Sequence, residues 1–119
     1  MKDFRRLELW QQAHALALEM YRLTSGFPQE EKFGLSNQRR RAAASISANL
    51  AEGCGRSGDA DFARFVRIAF GSACELECQS LLARDLGFIP LEDHTKVEGP
   101  LVSIKRMLAA LVKKLKADH

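Results

Sequence analysis

The chain has no uninterrupted apolar run approaching the roughly 20 residues that a membrane-spanning helix needs, so no membrane span is expected. It also lacks the period-two alternation of apolar and polar residues that marks strands. Its first residues, MKDFRRLELW, carry charges but no apolar h-region. That speaks against a secretory signal and makes the cytoplasm the expected location. The cysteines are three, Cys54, Cys74 and Cys78. An odd count without an export signal does not suggest a disulfide framework. Cys74 and Cys78 share a helix side, but two thiolates are half a zinc site. His14, His94 and His119 are scattered, and neither a metal nor a cofactor is expected.

Catalytic signatures are equally scarce. The glycines of GCGRSG are followed by no P-loop Lys-Ser/Thr and preceded by no strand. No Glu-x-x-His pair exists for a di-iron bundle site. Glu75 and Glu77 are two residues apart, about 160° round a helix, and cannot share a substrate. His14 lies on an apolar face, where a hydrogen-bonded core histidine is expected rather than a general base. These absences point away from an enzyme.

What is present is helical periodicity in a chain of 119 residues, 46% of them hydrophobic. That suits one domain, residues 1–119, with one modest core. A first helix is predicted from about Leu7 to Thr24, with Leu7, Trp10, His14, Ala17 and Tyr21 on one broad face and Leu16, Met20 and Leu23 beside it. Gly26 and Pro28 then break the chain, and Phe27 and Phe33 are expected to fold back on the core. A second helix is predicted from an N-cap at Ser36 to a left-handed C-terminal Gly53. Ser57 or Asp59 should cap a third, from about Ala60 to Leu86, closed by Gly87. Phe62, Val66, Ala69, Ala73, Leu76, Ser80 and Ala83 form its seam. Pro90 should open the fourth, with Asp93 a further cap candidate. Val97, Leu101, Ile104, Leu108, Leu111 and Leu115 make its heptad, and Gly99-Pro100 predicts a kink or false start. Short connections favour antiparallel neighbours. The expected fold is all-α, an up-and-down antiparallel four-helix bundle.

The second helix carries an unusual stripe. Gln38, Arg41, Ser45, Asn49 and Glu52 recur at spacings of three and four, beside the apolar arc of Leu35, Ala42, Ala43, Ile46 and Leu50. If helices two and three are antiparallel, Arg41 should lie near Ser72 and Gln38 near Glu75, with an Arg41–Glu75 pair in reach. The stripe reads as a structural polar seam of Gln38, Arg41, Ser45, Asn49, Glu52, Ser72 and Glu75, within a subunit or between subunits. The alternative reading is a ligand or nucleic-acid site. Arg40 and Ser47 should face outward, with Ala44, Ala48 and Ala51 as a small-residue packing surface.

The net charge is +3, from 18 basic and 15 acidic residues, with pI about 8.9. Residues 32–67 hold seven bases (Lys32, Arg39, Arg40, Arg41, Arg56, Arg64 and Arg67) against Glu52, Asp59 and Asp61. Residues 105–116 hold five bases and no acid. Arg39, Arg40, Arg56, Arg64 and Arg67 are the candidates for phosphate contacts. Aromatic interleaving is missing, since Phe62, Phe65 and Phe70 fit the core better than a stacking platform.

The order Phe4…Leu7…Trp10, Tyr21, Phe27-Pro28, Glu31…Phe33-Gly34-Leu35, then Gln38, Arg41-Ala42, Ser45-Ile46, Asn49 and Ala51-Glu52-Gly53 resembles a bacterial family of four-helix bundle proteins. Its founding members are encoded in intervening sequences of the 23S ribosomal RNA gene. The resemblance continues through Phe65, Ile68-Ala69, Gly71-Ser72, Glu75-Leu76-Glu77 and Leu86-Gly87, and Gly99-Pro100 is the clearest departure. It implies a bundle assembling as a ring, a homopentamer. It is also similar to the accessory protein of diversity-generating retroelements, a pentameric barrel that binds nucleic acid and a reverse transcriptase. Two classes follow as expectations: an oligomeric module binding RNA or DNA, or a protein-docking scaffold without nucleic acid.

Overall fold

The computed structural model describes residues 2–25 and 30–117. A 3-10 turn at Phe4–Arg6 leads into α1 (Glu8–Thr24), α2 (Glu30–Cys54), α3 (Asp59–Asp85) and α4 (Leu91–Ala117). No strand occurs among the described residues.

Each boundary has a local cause. The Asp3 carboxylate accepts the Arg5 N–H at 3.1 Å and starts the 3-10 turn. α1 ends where Ser25 turns extended, at φ −69° and ψ 137°. α2 begins at Glu30, six residues before the expected Ser36 cap, and Ser36 is buried inside it. The only breaker there is Gly34, which costs a helix about 1 kcal/mol relative to Ala, too little to stop one that gains tertiary contacts. The helix ends at Cys54 rather than on a left-handed Gly53. Gly53 instead answers to packing: a Cβ there would lie 2.9 Å from the Phe65 Cβ.

The α2–α3 turn is carried by Gly58, at φ 91°, and Gly58 is the N-cap of α3 without a side-chain cap. The expected Ser57 or Asp59 cap therefore does not form. Asp59 and Asp61 occupy the first turn, where their charge complements the helix dipole. Gly87, at φ 72°, closes α3 as expected. The Phe88 N–H donates to Ala83 O at 2.9 Å and the Gly87 N–H to Arg84 O at 3.0 Å, a Schellman closure. At the start of α4 the Pro90 carbonyl accepts from the Asp93 and His94 N–H groups, so Pro90 opens the helix and Asp93 sits in its first turn. The helix then runs through Pro100 without the predicted false start. Pro100 withholds the N–H that the Lys96 carbonyl would accept. Gly99 before it lacks the Cβ that would crowd the proline ring in helical backbone.

The molecule measures 46 × 20 × 19 Å, about one 27-residue helix in length at 1.5 Å per residue. α2 packs most extensively on α3, then α3 on α4, α1 on α2 and α1 on α4, while the diagonal pairs stay apart. Arg39 meets Ser80 and Ser45 meets Ser72, so α2 and α3 are antiparallel. Ser72 thus faces Ser45, one turn from the expected Arg41. Helical Cβ atoms lean toward the N-terminus. In an antiparallel pair this brings together residues that are later in both helices than the axial positions alone suggest.

The seam expected on α3 is buried throughout, as are Val97, Leu101, Ile104, Leu108 and Leu115 of α4, with Leu111 half-buried. α1 is turned toward one flank of its predicted face. Leu16, Ala17 and Met20 enter the core as expected, joined by Leu9 and Ala13, while His14 and Tyr21 are exposed and Trp10 is half-buried. Trp10 stacks on His14 at 4.7 Å and meets Phe4 edge-on at 5.0 Å. His14 is therefore no core histidine. Large amphipathic rings sit at the rim of so narrow a core, and small residues such as Ala13 let the helices approach. The expected docking of Phe27, and of the Phe33 side chain, lies outside the described residues.

Candidate functional site

The polar stripe of α2 is divided by the packing of α3. At its centre the Ser45 and Ser72 hydroxyls are 2.8 Å apart. The Asn49 amide donates to the Ser45 carbonyl at 2.8 Å and to its hydroxyl at 2.9 Å. All three residues are half-buried, and this much of the expected seam lies within one subunit. Its flanks are open. Gln38, Arg41, Glu52 and Glu75 are exposed. Glu75 accepts from Gln79 at 2.9 Å, so the expected Arg41–Glu75 pair is absent. Glu52 accepts from Arg56, one turn on, at 2.8 Å.

On α3, Ile68, Ser72, Glu75, Gln79 and Leu82 follow at spacings of four and three and share one side of the helix. Ile68 is 42% and Leu82 51% exposed. The outer α2–α3 face is thus mixed: two large apolar side chains among carboxylates, an arginine and amides. The small-residue surface expected on α2 is mostly turned inward, with Ser47 buried, Ala44 and Ala51 half-buried and only Ala48 exposed.

The five arginines considered for phosphate contacts do not stay together. Arg39 is 2% exposed, and its Nε donates to Ser80 Oγ at 3.2 Å between α2 and α3. Burial pulls its guanidinium below the ordinary arginine range, opposed by the charge of Asp93. Arg40 is half-buried rather than outward. It donates to Thr24 Oγ1 and to the Tyr21 carbonyl, and lies 4.8 Å over the Tyr21 ring. Neither is placed for a phosphate in this subunit.

Arg56, Arg64 and Arg67 are exposed. Arg56 and Arg64 flank the Phe65 ring at 5.0 and 4.5 Å. The N-terminal segment adds to this end of the bundle. The Lys2 N–H donates to Cys54 O at 3.0 Å, its ammonium sits 4.0 Å over Phe62, and exposed Arg5 follows. Three carboxylates offset part of the charge: Asp3 pairs with Arg5, Glu52 with Arg56 and Asp61 with Arg64. The hydrogen bonds from Arg5 hold the Asp3 carboxyl below its usual range.

The family model for 23S rRNA-intervening sequence proteins matches residues 5–110. The chain belongs to this family. A crystal structure of a protein of unknown function from the S23 ribosomal protein family of Bacteroides thetaiotaomicron VPI-5482 superposes with a TM-score of 0.81. The two are 25% identical over 88% of this chain and 98% of that one. No curated protein matches the chain. The match spans the α2 stripe and the arginines around the α2–α3 turn.

Sequence reasoning missed two groups that this intervening-sequence family member buries. Arg39 lies four residues from Leu35 and from Ala43, on the apolar arc itself. His94 lies three before Val97, and extends the α4 heptad by one step. In both cases the spacing was the signal, and the residue type obscured it.

Proposed function

We propose that the protein is a non-catalytic assembly module. Copies associate through the outer α2–α3 face into a ring, and the arginine-rich end of each bundle contacts the phosphate backbone of RNA or DNA. The observation that carries this reading is the exposure of Ile68 and Leu82 on the same face as Gln38, Arg41, Glu52 and Glu75. Such a face is polar enough to stay in solution and apolar enough to pack. A homopentamer is the expected closure, from the resemblance to retroelement accessory proteins, and a reverse transcriptase is the matching protein partner. Ring symmetry would repeat Lys2, Arg5, Arg56, Arg64 and Arg67 around one rim.

Sedimentation velocity at micromolar concentration tests the assembly: a species at the 13.3 kDa of one chain would overturn it. Binding of labelled RNA and DNA across a salt series tests the rim. Affinity should fall steeply with salt, and Arg64→Ala with Arg67→Ala should flatten the slope. The pairing of Arg56 and Arg64 with carboxylates favours a second reading, a protein-docking scaffold without nucleic acid. A ring with no salt-sensitive affinity for either nucleic acid would select it.

A further inference from the structure

Phe62 and Phe65 are buried at the α2–α3 turn, but a row of rings on the first segment and α1 is not. Phe4 stands edge-on to Trp10 at 5.0 Å, and Trp10 stacks on His14 at 4.7 Å with 11° between the planes. Trp10 thus covers one face of the imidazole, while His14 itself is exposed. Helix geometry puts this row on the α1–α2 groove. The Arg40 guanidinium of α2 lies 4.8 Å over the Tyr21 ring of α1. At the other end of the same pair the Lys2 N–H reaches Cys54 O, so α1 and α2 are antiparallel. Eleven residues are about three turns and return to the same side of a helix. Ala51 follows Arg40 by eleven and Trp10 precedes Tyr21 by eleven, so the two come level. The α2 side facing the row is Ala48, Ala51 and Gly55, with no side chain beyond a methyl group, and Ala48 and Gly55 are exposed. Ala51 and Gly55 line an open hollow of about 470 Å³ together with Phe4, Lys2 and Arg5. That is within the size range of small-molecule sites. Asp3, also in its lining, is held by Arg5 at 3.2 Å. Lys2, Arg5 and Arg6 are exposed.

Resting on the nucleic-acid reading above, we propose that this ring row is a stacking platform for unpaired bases, so that the nucleic acid bound is single-stranded. Rings beside a low floor of alanine and glycine can be reached by a flat ligand. Every base has a π-face, and stacking on aromatic side chains tolerates any sequence. In a duplex those faces are covered by the neighbouring bases, and the rings have nothing to meet. Phe62 and Phe65 cannot serve in their place, because cations already cover them: Lys2 lies over Phe62, and Arg56 and Arg64 over Phe65. Lys2, Arg5 and Arg6 supply the positive charge that the phosphates of the same strand need. They also extend the rim of Arg56, Arg64 and Arg67 toward α1. Cations that track a backbone, with aromatic rings beside them, are the two parts of a single-strand site.

Trp10 is the one tryptophan of the chain, so its fluorescence reports on this row. The test is a titration of the intact protein with oligouridine, with oligothymidine, and with RNA and DNA duplexes of the same length. Oligouridine and oligothymidine should each quench Trp10, and the duplexes should leave it nearly unchanged. His14→Leu keeps an apolar side chain but removes the ring, and should weaken single-strand binding about tenfold without altering duplex binding. His14→Tyr restores a ring and should recover the affinity. His14 is exposed, so both variants should keep the helical content of the parent chain. Single strands that bind without quenching Trp10, or that bind His14→Leu as tightly as the parent, would overturn the platform and leave the arginine rim standing. Binding that survives Arg64→Ala with Arg67→Ala but is weakened by His14→Leu would support the platform and remove the rim. If no nucleic acid binds in any form, both fall.

Discussion

Gly53 and Gly34 are both helical glycines, and their surroundings give them opposite roles. A Cβ on Gly34 would meet nothing within 4 Å, so Gly34→Ala should stabilise the fold by about 0.5–1 kcal/mol through backbone entropy. A Cβ on Gly53 would press on Phe65 Cβ at 2.9 Å and Phe62 Cδ1 at 3.1 Å. Gly53→Ala should cost about 1–3 kcal/mol, because overpacking outweighs the helix propensity it gains. Urea unfolding of both variants measures the contrast, and a shared sign would contradict it. Arg39 poses a related question. Its burial exacts a desolvation cost against the one bond to Ser80. Arg39→Met, similar in volume, should keep or raise stability, while Arg39→Ala should lower it by about 2–5 kcal/mol by leaving a cavity. A loss in the Met variant comparable to that in Ala would show the guanidinium to be needed for its bonds. The sequence hid Arg39 and His94 because helical spacing places a residue on the core side regardless of its charge, and residue type alone argues the reverse.

At the scale of elements, legibility followed the cleanness of the period. α3 and α4 carry long seams of Val, Leu, Ile and Ala, each buried against two neighbours, and their core faces were readable. On α1 the misreading was of Trp10, His14 and Tyr21, which have apolar bodies with polar tips, and such rings settle at a rim as readily as inside. The α2–α3 pairing was read one turn out, since a sequence shows axial positions and not the lean of the Cβ. Of the candidate site, the Ser45–Asn49–Ser72 cluster was legible, whereas its separation from Arg41 and Glu75 followed from that turn of register. Pro100 gives an element-scale prediction. A helix-interior proline costs about 3 kcal/mol, and its side chain here is exposed, so Pro100→Ala should raise stability by up to about that amount. Thermal denaturation decides it, and an unchanged or lower midpoint would mean that α4 has adapted fully to the missing bond.

At the scale of the whole molecule, a four-helix bundle this narrow leaves apolar side chains on its outside, and on the α2–α3 face these are Ile68 and Leu82. Ile68→Lys and Leu82→Lys should each leave the helical content and unfolding midpoint of the isolated chain nearly unchanged, because neither side chain contributes to the core. Both should shift the sedimentation profile toward the single chain if this face joins subunits. A variant that unfolds instead would place the residue in the core, and a full-sized assembly in both would move the contact to another face.

The missing bond of Pro100 also bears on timing. The Lys96 carbonyl, which loses the Pro100 N–H as a partner, stands one turn ahead of Leu101 and Val102 at the α3–α4 contact. Here α4 holds one helical bond fewer than its neighbouring turns, so the bundle has a built-in breathing point beside the buried His94. Amide protons of residues 101–104 should exchange with solvent through this local opening, ahead of those near Leu108, which await wider unfolding. Restoring the bond with Pro100→Ala should slow that exchange.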